Sequence, residues 1–183
     1  MTDTDKTPPT SPLSRLAHTI ARRTNFRGDA SALDNGERAA LARLDPDSPR
    51  PHQIGALARA LVMADIDPDG WQPETWRRWA LIAHGMSLAG HDGTLALGTQ
   101  LAHAKVSEGR VTRLLTSRGD SFHQQIPRLL RLMASRTVAP NWHELGALIL
   151  ASDRDEEKAE ALRLRIAGPY YRAVTQKSES TAA

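Results

Sequence analysis

The chain has 183 residues and no cysteine, which excludes disulfides, thiolate nucleophiles and cysteine-based zinc sites. Its 40% apolar and 25% charged residues are those of an ordinary globular protein, and no apolar run approaches the roughly 20 residues that a membrane span needs. The net charge is only +3 with a pI near 9.7, yet the basic residues are 20 Arg against four Lys (Lys6, Lys105, Lys158, Lys177). Bias in a GC-rich genome accounts for such a count as well as function does, so the positions of the arginines carry the argument.

Helix signals cover nearly everything after the polar opening "MTDTDKTPPTSP", and strand alternation is nearly absent. That opening holds no signal-type apolar stretch, so a cytoplasmic protein is expected. Ser11-Pro12 reads as a helix start, with Leu13, Leu16, Ala17 and Ile20 on one face. "ALDNGERAALARL" carries a capping box, Asp34 with Glu37, and runs to about Leu44. After the turn "LDPDSPRPHQ", the spacing of Ile54, Leu57, Leu61 and Ala64 predicts a helix from about Arg50 to Asp65. Pro73 opens another to about Ala89, with Trp76, Trp79, Ala80 and Ala83 inward. Helices follow over about 94–105, 107–117 and 121–135, and Pro127 predicts a late start or a kink in the last of these. "NWHE" reads as a second capping box, Asn141 with Glu144, opening a helix to about Leu150. Asp153 or Asp155 starts a final helix that ends near "GPYYR". The expected fold is all-α, about nine short helices in two packed bundles, 11–90 and 91–173, divided at "GHDG". Residues 1–10 and 174–183 read as disordered tails.

Catalytic and metal motifs are incomplete. "DIDPDG" matches the opening of a calcium loop at Asp65, Asp67, Asp69 and Gly70, but its twelfth position is Trp76 where a bidentate Glu is needed. "HELGA" has Ala147 where a zinc protease has its second His. No G-x-S-x-G, phosphate-binding loop or dinucleotide fingerprint is present. The expectation is therefore no enzyme, no cofactor and no metal. Trp76 and Trp79 read as core, and Trp142 as packing at the start of its helix. Gly98, alone inside a helix, implies a close backbone contact.

The arginines remain. Arg110, Arg113, Arg118, Arg128 and Arg131 lie off the apolar stripes of two neighbouring helices, and between 109 and 139 the only acid is Asp120. Arg136 falls in the same stretch. A solvated helix face usually mixes both signs, whereas a one-sign face suits a phosphate backbone. Two other classes fit the composition. A helix-turn-helix regulator would read bases through "HQQIPRLLRL", whose proline argues against it. A helical interaction module would use the arginines on acidic protein partners.

In order and spacing, "LDNG" at 33–36, "PRPHQ" at 49–53, "LGTQLA" at 97–102, "SEGRVTRLL" at 107–115, "PRLLRLM" at 127–133 and "NW" at 141–142 resemble the CasB family, the small subunit of the type I-E CRISPR Cascade surveillance complex. A final helix ending in "YYR" completes the resemblance, which covers about residues 13–173. It implies an all-helical, non-catalytic subunit in two small bundles. The implied partners are other Cascade subunits, guide RNA, target DNA and a second copy of the chain, with a basic path helping to hold the displaced strand. It marks Arg43, Arg50, Arg110, Arg128 and Arg154 as path residues, while Arg113, Arg118 and Arg131 come from the helical-face argument.

Overall fold

The computed structural model describes residues 11–21 and 33–182, and among them there are nine helices and no strand. Helix α1 (Pro12–Ala21) begins where Ser11 Oγ accepts the Ser14 N–H, and it buries Leu13, Leu16, Ala17 and Ile20. Helix α2 (Asn35–Ala42) has its capping box: Asp34 Oδ1 accepts the Glu37 N–H at 2.7 Å, and Glu37 Oε2 accepts the Asp34 N–H at 2.8 Å. Helices α3 (Pro51–Met63) and α4 (Pro73–Ala89) each start with proline, where the missing N–H has no helical partner to lose. Then come α5 (Leu97–His103), α6 (Glu108–Thr116), α7 (Gly119–Ser135), α8 (Trp142–Ala151) and α9 (Glu156–Ala182).

Helix α4 is the central post, packed against α1, α2, α7 and α8. Helix α9 closes the other end across α5, α6 and α8. The buried side chains of both halves join in one cluster that runs from Leu13 to Tyr170. Trp79 packs in that cluster and Trp71 stacks on it at 5.7 Å, while Trp142 is wholly buried and donates its indole N–H to the Gly90 carbonyl at 2.8 Å. The expected tail 1–10 lies outside the described residues.

Three local expectations change. Helix α7 does not start late at Pro127; it begins at Gly119 and carries the proline inside. Burial of Phe122, Ile126, Leu129, Leu130 and Met133 along one stripe holds the helix across the break. Pro127 brings no N–H, so the His123 carbonyl loses its helical donor. Helix α9 likewise passes Pro169 and continues beyond "GPYYR" to Ala182. The anchor there is Tyr170, buried, whose hydroxyl donates to the Val106 carbonyl at 2.7 Å. Lastly, Asn141 caps α8 by accepting the His143 N–H, but Glu144 does not reach back to complete a box. Its Oε2 accepts the Leu97 N–H at 2.7 Å, so the carboxylate caps α5 instead, 47 residues away in sequence.

Candidate nucleic-acid interface

Helices α6 and α7 bury one face each, through Val111 and Leu114 on α6 and the stripe from Phe122 to Met133 on α7. The arginines between those apolar positions are thereby left on the surface. Arg110, Arg113 and Arg128 line one cleft of about 260 Å³ between the two helices, over a floor that includes Leu114 and Leu129. Arg131 follows Arg128 by one helical turn, which puts their Cβ atoms about 5–6 Å apart.

Arg131 then lines a second cleft, of about 470 Å³, together with Arg43 at the end of α2. Arg43 also lines a third, of about 630 Å³, with Arg50 and His52 at the start of α3. Gln53 fixes the loop that joins them: its Nε2 donates to the Arg43 carbonyl at 2.8 Å and its Oε1 accepts the Arg50 N–H at 2.9 Å. The second and third clefts share Arg43 and Asp45, and the first and second meet at α7, which gives Arg128 to one and Arg131 to the other, so Arg110, Arg113, Arg128, Arg131, Arg43 and Arg50 follow one another as a band. All six are exposed, and none has an ion-pair partner among the described residues.

Two expected residues stand apart. Arg118 donates from Nε to Glu156 Oε1 at 2.7 Å and from Nη2 to Glu160 Oε2 at 3.1 Å. The buried Arg163 shares both carboxylates, so the four side chains lock the α6–α7 turn onto α9. Beside the Arg163 and Arg118 guanidinium groups, the Glu156 carboxyl is held below its usual range. Arg154 is exposed in the turn between α8 and α9 but lines none of the three clefts. Its neighbours Asp153 and Asp155 accept the Gly119 and Lys158 N–H groups.

Sequence patterns passed over several side chains at the second cleft. Arg77 pairs with Asp47 and also with Asp120 at 3.0 Å, so the one acid of 109–139 is already neutralised from α4. His84 Nδ1 lies 3.2 Å from the Leu41 carbonyl. That contact requires the proton on Nδ1 and leaves Nε2 an acceptor in the neutral ring. Burial pushes His84 below the usual histidine range, and the nearby Arg131 charge acts in the same direction. His123 is 8% exposed, and neither ring nitrogen has a partner among the described residues. Burial pushes His123, too, below the usual histidine range. Heptad or motif patterns do not signal such a pair, because the two histidines come from helices far apart in sequence. "DIDPDG" uses its carboxylates on its own turn: Asp67 accepts the Asp69 N–H and Asp69 the Gly70 N–H. No group of three or more metal-ligating side chains occurs among the described residues.

Fold and surface together define an all-helical protein with six exposed arginines lining three successive surface clefts. The chain belongs to the Cse2 family: the family model described as CRISPR-associated protein Cse2 matches residues 37–171. That is the family also called CasB, and membership makes the chain a subunit of a CRISPR Cascade complex. No curated protein and no solved structure matches it. Among the described residues no helix is long and apolar enough to cross a membrane.

Proposed function

We propose that the protein is a non-catalytic small subunit that grips the phosphate backbone of guide RNA and target DNA in its complex and steadies the displaced strand. The observation that carries this is the band of Arg110, Arg113, Arg128, Arg131, Arg43 and Arg50, exposed and without carboxylate partners among the described residues. In an RNA-guided complex base pairing reads the sequence, so the protein needs backbone contacts rather than a base code. Arginine forks supply such contacts, and each phosphate neutralised releases counterions. The same reading places the protein in the cytoplasm, beside other Cascade subunits and a second copy of itself. Arg154 belongs to this proposal as a separate contact on the α8–α9 turn. Arg118, held by two glutamates, is a structural residue of the α6–α7 turn in this reading and makes no strand contact.

The test is equilibrium binding of the full chain to two unrelated single-stranded DNAs over a range of salt. Affinity equal for both sequences and falling steeply with salt is expected, and Arg110→Ala with Arg128→Ala lowers the slope by about one for each phosphate no longer neutralised. An unchanged slope in the double variant overturns the band. A defect confined to one sequence points to groove reading by α7 instead.

A further inference from the structure

The second cleft differs from the other two. Like the first it has apolar walls, here from Leu81 and Leu88 with a Pro127 ring beside them, but of the three it alone adds two histidines drawn into the fold, His84 half-buried and His123 buried. Polar groups of both kinds meet those walls. Arg43 and Arg131 supply cationic donors at the exposed edge, beside Asp45 and Asp47, the second of which Arg77 already neutralises. His84, whose Nδ1 is turned to the Leu41 carbonyl, offers its Nε2 as an acceptor. His123 itself lines the cleft, more than nine-tenths buried, with both ring nitrogens unpartnered among the described residues. A volume of about 470 Å³ falls within the range of small-ligand clefts, roughly 300–1,000 Å³.

We infer that this cleft takes one unstacked nucleobase from a single strand. The inference rests on the proposed backbone grip and deepens it. The cleft lies in the middle of the band, between Arg131 and Arg43, so a strand held by its phosphates on both sides passes its mouth. A purely anionic ligand would not use the apolar walls, and an apolar one would not need the arginines. A base attached to its phosphate uses both. The base meets Leu81, Leu88 and Pro127 with its faces and the two histidines with its edge, while Arg43 and Arg131 hold the adjoining phosphates. The polar groups here are few and fixed, so the capture is selective for the presence of a base more than for its identity.

The experiment compares the full chain's affinity for an oligodeoxynucleotide and for an abasic strand of the same length and charge. The base-bearing strand is expected to bind about tenfold tighter, the scale of one captured base. Two variants then locate the advantage. His84→Leu removes the acceptor, and the Leu41 carbonyl it leaves keeps its bond from the Leu44 N–H. Ala42→Leu fills the cleft from the half-buried end of α2. Either variant should bring the two strands to equal affinity while leaving the abasic strand's affinity unchanged, which also reports an intact fold. Equal binding of both strands by the unaltered chain overturns the base-capture inference and leaves the phosphate grip standing. Loss of binding to both strands in the unaltered chain removes both. A tenfold advantage that survives both variants places the base elsewhere. Competition by deoxyadenosine monophosphate as effective as by the strand would make the ligand a free nucleotide and overturn the strand-held reading.

Discussion

Two ion pairs hold Arg118 against α9, whereas Arg128 is exposed on α7 with no carboxylate in reach among the described residues. Their replacement by alanine should therefore separate stability from binding. Arg118→Ala should lower Tm by a few degrees, since exposed pairs stabilise weakly, and leave strand affinity unchanged at constant salt. Arg128→Ala should do the reverse: Tm within error and affinity down severalfold, because one charge-assisted phosphate bond is removed. Thermal melts and binding isotherms on the same two variants check both halves. Histidine gives a second residue-level prediction. His84 and His123 are held below the ordinary value of 6.5, first by burial. Their folded forms resist the proton that the unfolded chain accepts, so stability is complete above that value and is lost as pH falls through it. Tm should fall between pH 7.5 and 5.5. His123→Leu should flatten the fall, because the ring leaves no partner group behind among the described residues. A variant whose melting curve tracks the unaltered protein at every pH would show that His123 does not carry this dependence.

At the scale of the helix, the decisive contacts are backbone to backbone. A Cβ on Gly98 would lie 2.1 Å from the Ile166 carbonyl oxygen and 2.7 Å from the Tyr170 nitrogen, so α5 and α9 could not keep their approach. Gly98→Ala should destabilise by about 1–3 kcal/mol, despite alanine's better helix propensity, as read by chemical denaturation. Glu144 supplies a companion case. Glu144→Ala leaves the buried Leu97 N–H without its acceptor and should cost about 1–3 kcal/mol, whereas Glu144→Gln retains an oxygen there and should cost less. These two sites also show what the sequence made legible. Apolar spacing and capping residues foretold α4 from Pro73 to Ala89 and the Asp34 box, because both are local. A lone glycine in a helix implies a close approach at Gly98, but the sequence does not name Ile166 and Tyr170 as the partners. The Asn-x-x-Glu pattern at Glu144 is local, while the N–H it satisfies comes from across the fold. Pro169 misleads for the same reason: tertiary burial outweighs one missing hydrogen bond, as it also does at Pro127, where α7 does not start late. Among the arginines, sequence placed them off the apolar stripes but gave no means to see Glu156 and Glu160 reaching Arg118.

Across the whole molecule, the order of the band makes a claim that single substitutions do not test. Arg110 and Arg50 lie at opposite ends, in clefts that share no lining residue, while Arg131 and Arg43 face one cleft. Residues without shared partners contribute additively, and residues on one ligand group couple. In the assembled complex, the reductions in target affinity from Arg110→Ala and Arg50→Ala should therefore add, and the double variant should show a salt slope lower by about two units. Arg131→Ala and Arg43→Ala should not add. Once one has gone, the nucleotide between them is already loosened, and the second change removes less than it does alone. The measurement is a pair of double-mutant cycles at several salt concentrations, on two unrelated targets with matched guides. Since phosphates carry no base identity, both cycles should read alike on the two targets. Additivity in both pairs would mean that Arg131 and Arg43 act on nucleotides held independently of each other. Coupling between Arg110 and Arg50 would mean that the strand follows a shorter path than the one these three clefts mark out.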